Sequence, residues 1–227
     1  VLPWQTLESV QTREGLLELR RRGERDFLIT IAGRILMTSA AHRSEDALAN
    51  LACAALAGRK RPNVLLGGLG MGYSLRAALN LLPATAQVAV VELNRQVVAW
   101  NRGAIAALTR YASEDPRVQI IVGDVAQVIA RAASGSFDAI LLDLYEGPHA
   151  ATRRGRDPLY GDEAIARTSR ALRPGGVFGV WSEEPDKSFE ARLAAAGFSI
   201  ERKRSGKGGR IHVVYLATKD PNKVKNR

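Results

Sequence analysis

The stretch from Pro62 to Asn94 admits few folds. It runs as an apolar segment, Pro62-Asn-Val-Leu-Leu, then a glycine turn through Gly68, Gly70 and Gly72, an apolar-periodic segment from Tyr73 to Leu82, and a second apolar run, Gln87-Val-Ala-Val-Val, closed by Glu92. That order is a βαβ unit. Glycines let the backbone pass close to a ligand, and the turn leaves free N–H groups at the start of a helix. Glu92 comes 20 residues after Gly72, at the end of the second strand, where a carboxylate can accept both hydroxyls of a ribose.

The glycine spacing indicates which nucleoside. In a dinucleotide fingerprint counted from Gly68, the third glycine would fall on position 73, which is Tyr73. The chain instead reads G-x-G-x-G through Gly68, Leu69, Gly70 and Gly72, the form typical of S-adenosylmethionine (AdoMet) folds. A P-loop is excluded, because no Gly-Lys-Ser/Thr occurs in the turn.

At 227 residues and 46% hydrophobic content, the chain suits one domain with a small appendage. No apolar run approaches the roughly 20 residues that span a bilayer, so a soluble, cytoplasmic protein without membrane partners is expected. Cys53 is the only cysteine and lies in the apolar stretch from Leu48 to Leu56, which marks it as a packing thiol. No His, Asp or Glu spacing recommends a metal. The net charge of +10 resides largely in Arg20-Arg21-Arg22, Arg59-Lys60-Arg61, Arg153-Arg154 with Arg156, Arg202-Lys203-Arg204 and a lysine-rich tail. Such a field attracts polyanions, nucleic acid included. The clusters are scattered and carry no interleaved aromatics, so solvated faces are the favoured reading.

In chain order, residues 1–14 show little periodicity, with Trp4 as an anchor, and three short apolar runs up to Thr38 read as a small β appendage. Ser44, Glu45 and Asp46 open a helix, and His42 before it is read as an exposed loop residue. After Glu92, Asn94 caps a helix expected to reach Leu108. Val118 to Val122 is a strand ending at Gly123-Asp124, where the acid can accept from an adenine amino group and the Val125 N–H can meet a ring nitrogen. Asp124 can equally cap the helix that follows. Phe137 to Leu142 is a strand closed by Asp143-Leu-Tyr-Glu146, an acid pair facing the reactive end of a bound nucleoside. Residues 150–161 are polar enough for a lid, Arg173-Pro-Gly-Gly176 reads as a turn, and Phe198 to Ala217 holds a final hairpin. The expected architecture is a doubly wound, Rossmann-like α/β fold of the class I AdoMet-methyltransferase type, its mostly parallel sheet ending in an antiparallel hairpin. The expected units are an appendage over residues 1–40, a nucleoside-binding catalytic domain over 41–219 and a basic tail over 220–227.

These residues resemble the spermidine synthases and related aminopropyltransferases. The resemblance runs through Val64-Leu-Leu-Gly-Gly-Leu-Gly-Met-Gly, Leu75-Arg76, Val91-Glu92, Pro116-Arg117-Val118, Gly123-Asp124, Asp138-Ala-Ile-Leu-Leu-Asp143 and Leu172-Arg-Pro-Gly-Gly176. It implies that Glu92 holds the ribose, Asp124 the adenine, and Asp143 the attacking amine, which it orients and deprotonates. It further implies decarboxylated AdoMet as co-substrate, a small-molecule amine acceptor, methylthioadenosine as a product, and a homodimer.

The departures are specific. Met71 stands where the family carries an acid beside the aminopropyl ammonium, and the family's Asp-Ser-Ser-Asp becomes Asp143-Leu-Tyr-Glu146. A Tyr-His-Glu run of the polyamine site aligns with Ala49-Asn50-Leu51. Three readings stay open: an aminopropyltransferase-like enzyme, a methyltransferase using intact AdoMet, and a noncatalytic nucleoside- or polyanion-binding member. Tyr73 and Tyr145 are candidates for the acceptor site. His149 and His212 are expected bystanders.

Overall fold

In a computed structural model of the chain, described for residues 2–145, 147–149, 156–205 and 212–220, two sheets share one body. The first is antiparallel, in the order β1 (Gln5–Thr12), β2 (Gly15–Arg22), β3 (Asp26–Ile31) and β4 (Arg34–Thr38). Residues 1–14, which show little periodicity in sequence, supply the first of these strands. β1 is an edge strand exposed along most of its length, so its pairing with β2 carries no hydrophobic alternation in sequence. Trp4 packs under the Arg22 guanidinium, 4.7 Å from the ring centroid, and so anchors the segment to its own sheet.

After α1 (Arg43–Ala54), the chain builds the second sheet from β5 (Asn63–Gly67), β6 (Gln87–Glu92), β7 (Val118–Val122), β8 (Phe137–Leu142), β9 (Leu172–Ser182), β10 (Phe198–Ser205) and β11 (His212–Lys219). Their spatial order is β10-β11-β9-β8-β5-β6-β7. Pairing is parallel from β9 across to β7, and β11 runs antiparallel between β9 and β10. Helices α2 (Tyr73–Leu81), α3 (Arg95–Arg102), α4 (Val125–Arg131), α5 (Asp162–Ala171) and α6 (Lys187–Ala195) fill the crossovers. The doubly wound expectation is therefore met. None of the described helices is long and apolar enough to cross a membrane.

Successive strand residues point to opposite faces, and the apolar runs of the central strands supply both layers. Val64, Leu66, Ala139 and Leu141 join one core with α1, α2 and α3, whereas Leu65, Ile140, Leu142 and Phe178 join another with α4, α5 and α6. Leu17, Leu19, Phe27, Ile29 and Ile31 of the first sheet belong to the former core. The appendage is thus packed onto the α1–α3 face and owes its order to that burial.

Two expectations are corrected. α3 stops at Arg102, where Gly103 takes the C-cap position with φ of −128° and ψ of −106°, outside the helical region, and short 3₁₀ turns follow at Ala106–Thr109 and Ala112–Glu114. Arg173-Pro-Gly-Gly176 is carried inside β9 as an irregularity: Phe137 pairs with Leu172, and the next pair is Ala139 with Val177.

A buried carboxylate, Asp138, held by two partly exposed arginines braces the end of the sheet away from the glycine turn. Asp138 accepts from Arg59 Nη1 at 2.6 Å, from the Asn63 backbone N–H at 2.7 Å and from Arg173 Nη1. One member of a basic cluster, Arg59, and the arginine of the Arg-Pro-Gly-Gly run, Arg173, are therefore structural rather than free surface charge. The same holds for Arg117, which is paired with Asp115 and donates to the Leu79 and Leu82 carbonyls.

Candidate nucleoside and acceptor site

A cavity of about 630 Å³ opens over the C-terminal ends of β5, β6, β7 and β8. This is where an open α/β sheet binds ligands, because the strand order reverses there and adjacent loops part. Its lining includes Gly68, Gly70, Glu92, Asp124, Val125 and Asp143 from the sheet, with Leu17, Ile29, Ile31, Arg34, Leu36 and Met37 from the first sheet. The appendage is a wall of the site.

The glycine turn is built by left-handed backbone. Gly68, Gly70 and Gly72 have φ of 90°, 51° and 82°, a region that favours glycine. A Cβ on Gly68 would lie 2.2 Å from the Asp143 carbonyl oxygen. The turn and the end of β8 are in backbone contact, which fixes Asp143 against the loop. Gly72 backs onto Asn101 and Thr109, and Leu69 turns its side chain into the core, so both support the loop from behind the cavity. The Met71 side chain is fully buried too, while its N–H donates to Met37 Sδ at 3.1 Å and ties the turn to β4.

Glu92 is 7% exposed, and its two oxygens accept from the Leu69 and Asn94 backbone N–H groups at 2.9 and 2.8 Å. Burial raises its pKa, and those N–H donors oppose the rise. A carboxylate offers about four lone-pair directions, so two remain for a ligand's hydroxyls. Asp124 does both jobs considered for it: its Oδ1 accepts from Ala126 N at 2.8 Å as the cap of α4, and it lines the cavity.

Asp143 lies beyond β8, enclosed by protein except where it meets the cavity. Desolvation, reinforced by Glu45 and then Asp46, pushes its carboxyl up to about 7, with Ser74 pulling the other way. Ser74 Oγ donates a hydrogen bond to Asp143 Oδ2. Neither Ser74 nor Glu45 was legible as a site residue. Each sits in the first turn of a helix, where Ser and Glu are read as ordinary terminal residues, and only the packing of α1 against α2 brings them to the end of β8.

Tyr145 is exposed and lines the cavity beneath the Arg34 guanidinium, 5.6 Å from the ring centroid. Tyr73 is buried behind the cavity, donating to the Ser39 carbonyl at 3.3 Å and stacked on His42 at 3.9 Å. His42 is accordingly no exposed loop residue: it takes the N-cap position of α1 with its Nδ1 2.8 Å from Asp46 Oδ2. Ala49 is buried and Asn50 exposed, and neither they nor Leu51 line the cavity. His149 is half-buried, and His212 packs on Trp181 at 4.9 Å. Glu146, Arg153 and Arg154 lie outside the described residues.

No family model matches the chain. Among solved structures, spermidine synthase from Thermotoga maritima superposes with a TM-score of 0.77 over 96% of this chain and 75% of that one, at 20% identity. A spermidine synthase bound to the transition-state analogue AdoDATO gives 0.76 over 96% and 74%, at 19% identity. The chain has the spermidine-synthase fold. In sequence it is similar to the polyamine aminopropyltransferase of Prochlorococcus marinus, 31% identical over 129 residues, covering 54% of this chain and 41% of that protein. It is also similar to putrescine N-methyltransferase 3 of Nicotiana tabacum, 35% identical over 114 residues, covering 50% and 28%. The matches thus span less than half the length of these curated relatives.

Proposed function

We propose that the chain is a transferase that moves an alkyl group from an adenosyl sulfonium to an amine. The observation that carries this reading is Asp143, a carboxyl held near neutrality on the wall of a cavity that also presents Glu92 and Asp124. A group poised near 7 can take a proton from an ammonium and give it up again. Glu92 then holds the ribose, Asp124 and the Val125 N–H hold the adenine, and Gly68 and Gly70 let the nucleoside approach. The sulfonium is already activated, so the protein's task is alignment of a free amine and exclusion of water.

The favoured form is aminopropyl transfer from decarboxylated AdoMet with release of methylthioadenosine, supported by similarity to polyamine aminopropyltransferases. Acidic lining at Asp143 and Glu45 suits a cationic acceptor. A second reading, methyl transfer from intact AdoMet, is favoured by Met71: it replaces the acid that would pair with an aminopropyl ammonium, and its side chain lies in the core. Similarity to a putrescine N-methyltransferase points the same way. The open cavity gives no support to the noncatalytic reading.

Calorimetric binding of AdoMet, decarboxylated AdoMet, methylthioadenosine and S-adenosylhomocysteine separates these. Preference for decarboxylated AdoMet and methylthioadenosine supports aminopropyl transfer. Preference for AdoMet and S-adenosylhomocysteine supports methyl transfer, and binding of none of the four overturns both.

A further inference from the structure

Ser74 is buried in the first turn of α2, with its hydroxyl between two acceptors: the Glu45 carbonyl oxygen, at 3.2 Å, and Asp143 Oδ2. A hydroxyl has one proton to donate and two lone pairs to accept with. When Asp143 is ionised, that proton goes to Oδ2. When Oδ2 is protonated, the carboxyl donates to Ser74 Oγ and the hydroxyl turns its proton to the Glu45 carbonyl. Both charge states leave Asp143 Oδ2 hydrogen-bonded, which an apolar side chain at position 74 could not do. We propose that Ser74 is a positioning residue for proton transfer: a hydroxyl rotor that holds Asp143 Oδ2 in either charge state and leaves Oδ1 for the acceptor amine.

The inference rests on the reading of Asp143 as the proton acceptor. In that reading an ammonium passes a proton to Asp143, and the freed lone pair forms the N–C bond. The C–S bond breaks with its electron pair going to sulfur, so a neutral thioether leaves and the new amine carries the positive charge. Asp143 then returns its proton to solvent through the cavity.

The surroundings make the rotor necessary. Glu45 and Asp46 of α1 both favour the protonated form of Asp143, although Asp46 is also engaged by His42. The Tyr160 phenol ahead of α5 is kept neutral by burial, with Asp157 and Asp143 adding to the effect, and it supplies no charge. Of the groups that shift Asp143, Ser74 alone favours ionisation. Without it the neighbouring acids shift Asp143 further toward its protonated form, and the fraction of molecules ready to take a proton falls.

The test uses the full chain, its Asp143→Asn variant for assignment, and Ser74→Ala, Ser74→Thr and Ser74→Cys. The Asp143 carboxyl is followed by carbon-13 NMR of protein labelled at aspartate, without substrate. In Ser74→Ala the midpoint should rise by about one pH unit, the size of one hydrogen bond to a charged group. Ser74→Thr should restore it, and Ser74→Cys, a weak donor, should fall between. An unmoved midpoint in the alanine variant, or in the cysteine variant where alanine does not fold, overturns the rotor. With an active amine acceptor, the acid limb of kcat/KM should move with the midpoint, and a fixed limb overturns it as well. A shifted midpoint in a chain that alkylates no amine upholds the rotor and removes the transferase reading instead.

Discussion

Replacing Asp143 by Asn should make the protein more stable, and increasingly so as pH rises. The wild-type carboxyl is raised from 3.8 to about 7 by desolvation and by Glu45, so the folded state binds its proton more tightly than the unfolded chain does. Such a group favours folding least where it is ionised in both states: stability falls as pH rises from about 4 to about 7 and then levels. About three units at 1.36 kcal/mol each set a ceiling of about 4 kcal/mol. Asp143 touches the cavity, and water there screens part of this, so about 2 kcal/mol is the expected gain at about pH 8.5. For a chain of this size that is a rise in Tm of about 4–8 °C. Scanning calorimetry of wild type and Asp143→Asn at about pH 5 and about pH 8.5 should show a gap that widens with pH. A gap that is constant with pH, or a variant less stable at the higher pH, refutes the placement of a strained carboxyl. In the same variant, turnover should fall by about 10²–10⁴-fold while nucleoside affinity is largely kept. Equal loss of both would move Asp143 into the nucleoside's own contacts.

Glu92→Gln should weaken every adenosyl ligand alike and also cost about 1–3 kcal/mol in urea unfolding, because one backbone N–H of the pair on Leu69 and Asn94 then faces an NH₂ group. Unchanged affinity for all four nucleosides would remove the ribose assignment. Asp138→Asn should lose about 1–3 kcal/mol by urea unfolding, since an NH₂ group then faces one of the donors that the buried carboxylate accepts from, while solvent screens the partly exposed Arg59 and Arg173; a loss under about 0.5 kcal/mol would show that solvent serves all three donors equally well. Gly68→Ala should abolish methylthioadenosine binding in calorimetry, because the added methyl meets the Asp143 carbonyl and the backbone must shift. Cys53 should resist alkylation in the folded protein at about pH 8, with burial pushing its thiol up to about 12. Labelling at the rate of a free thiol would place it at the surface.

Much of the fold was legible because its signals are local. The runs of β5, β6 and β8 are apolar at nearly every position, as strands covered on both faces must be, the edge strand β7 keeps an apolar run though it is only partly covered, and each is followed by turn or acid residues at a fixed place. Glu92, Asp124 and Asp143 could be picked out for the same reason: an acid at the C-terminal end of a parallel strand needs only the strand to be located. β1 escaped because an exposed edge strand has no buried face to write an alternation, and the end of α3 escaped because a single glycine, Gly103, inside an apolar-periodic run does not by itself mark a helix end.

What the tertiary structure decided is who meets whom across the chain. Sequence order by itself establishes a βαβ unit with a glycine turn and the row of acids at the C-terminal ends of the strands. It carries no information on the packing of α1 against α2, which sets Glu45 and Ser74 beside Asp143 and thereby fixes that carboxyl's charge behaviour. Nor does it show that Tyr73 faces His42 behind the cavity while Tyr145 faces into it, or that the first sheet is a wall of the site. Periodicity reports which face of an element is buried; desolvation and hydrogen-bond partnership depend on the other elements that bury it.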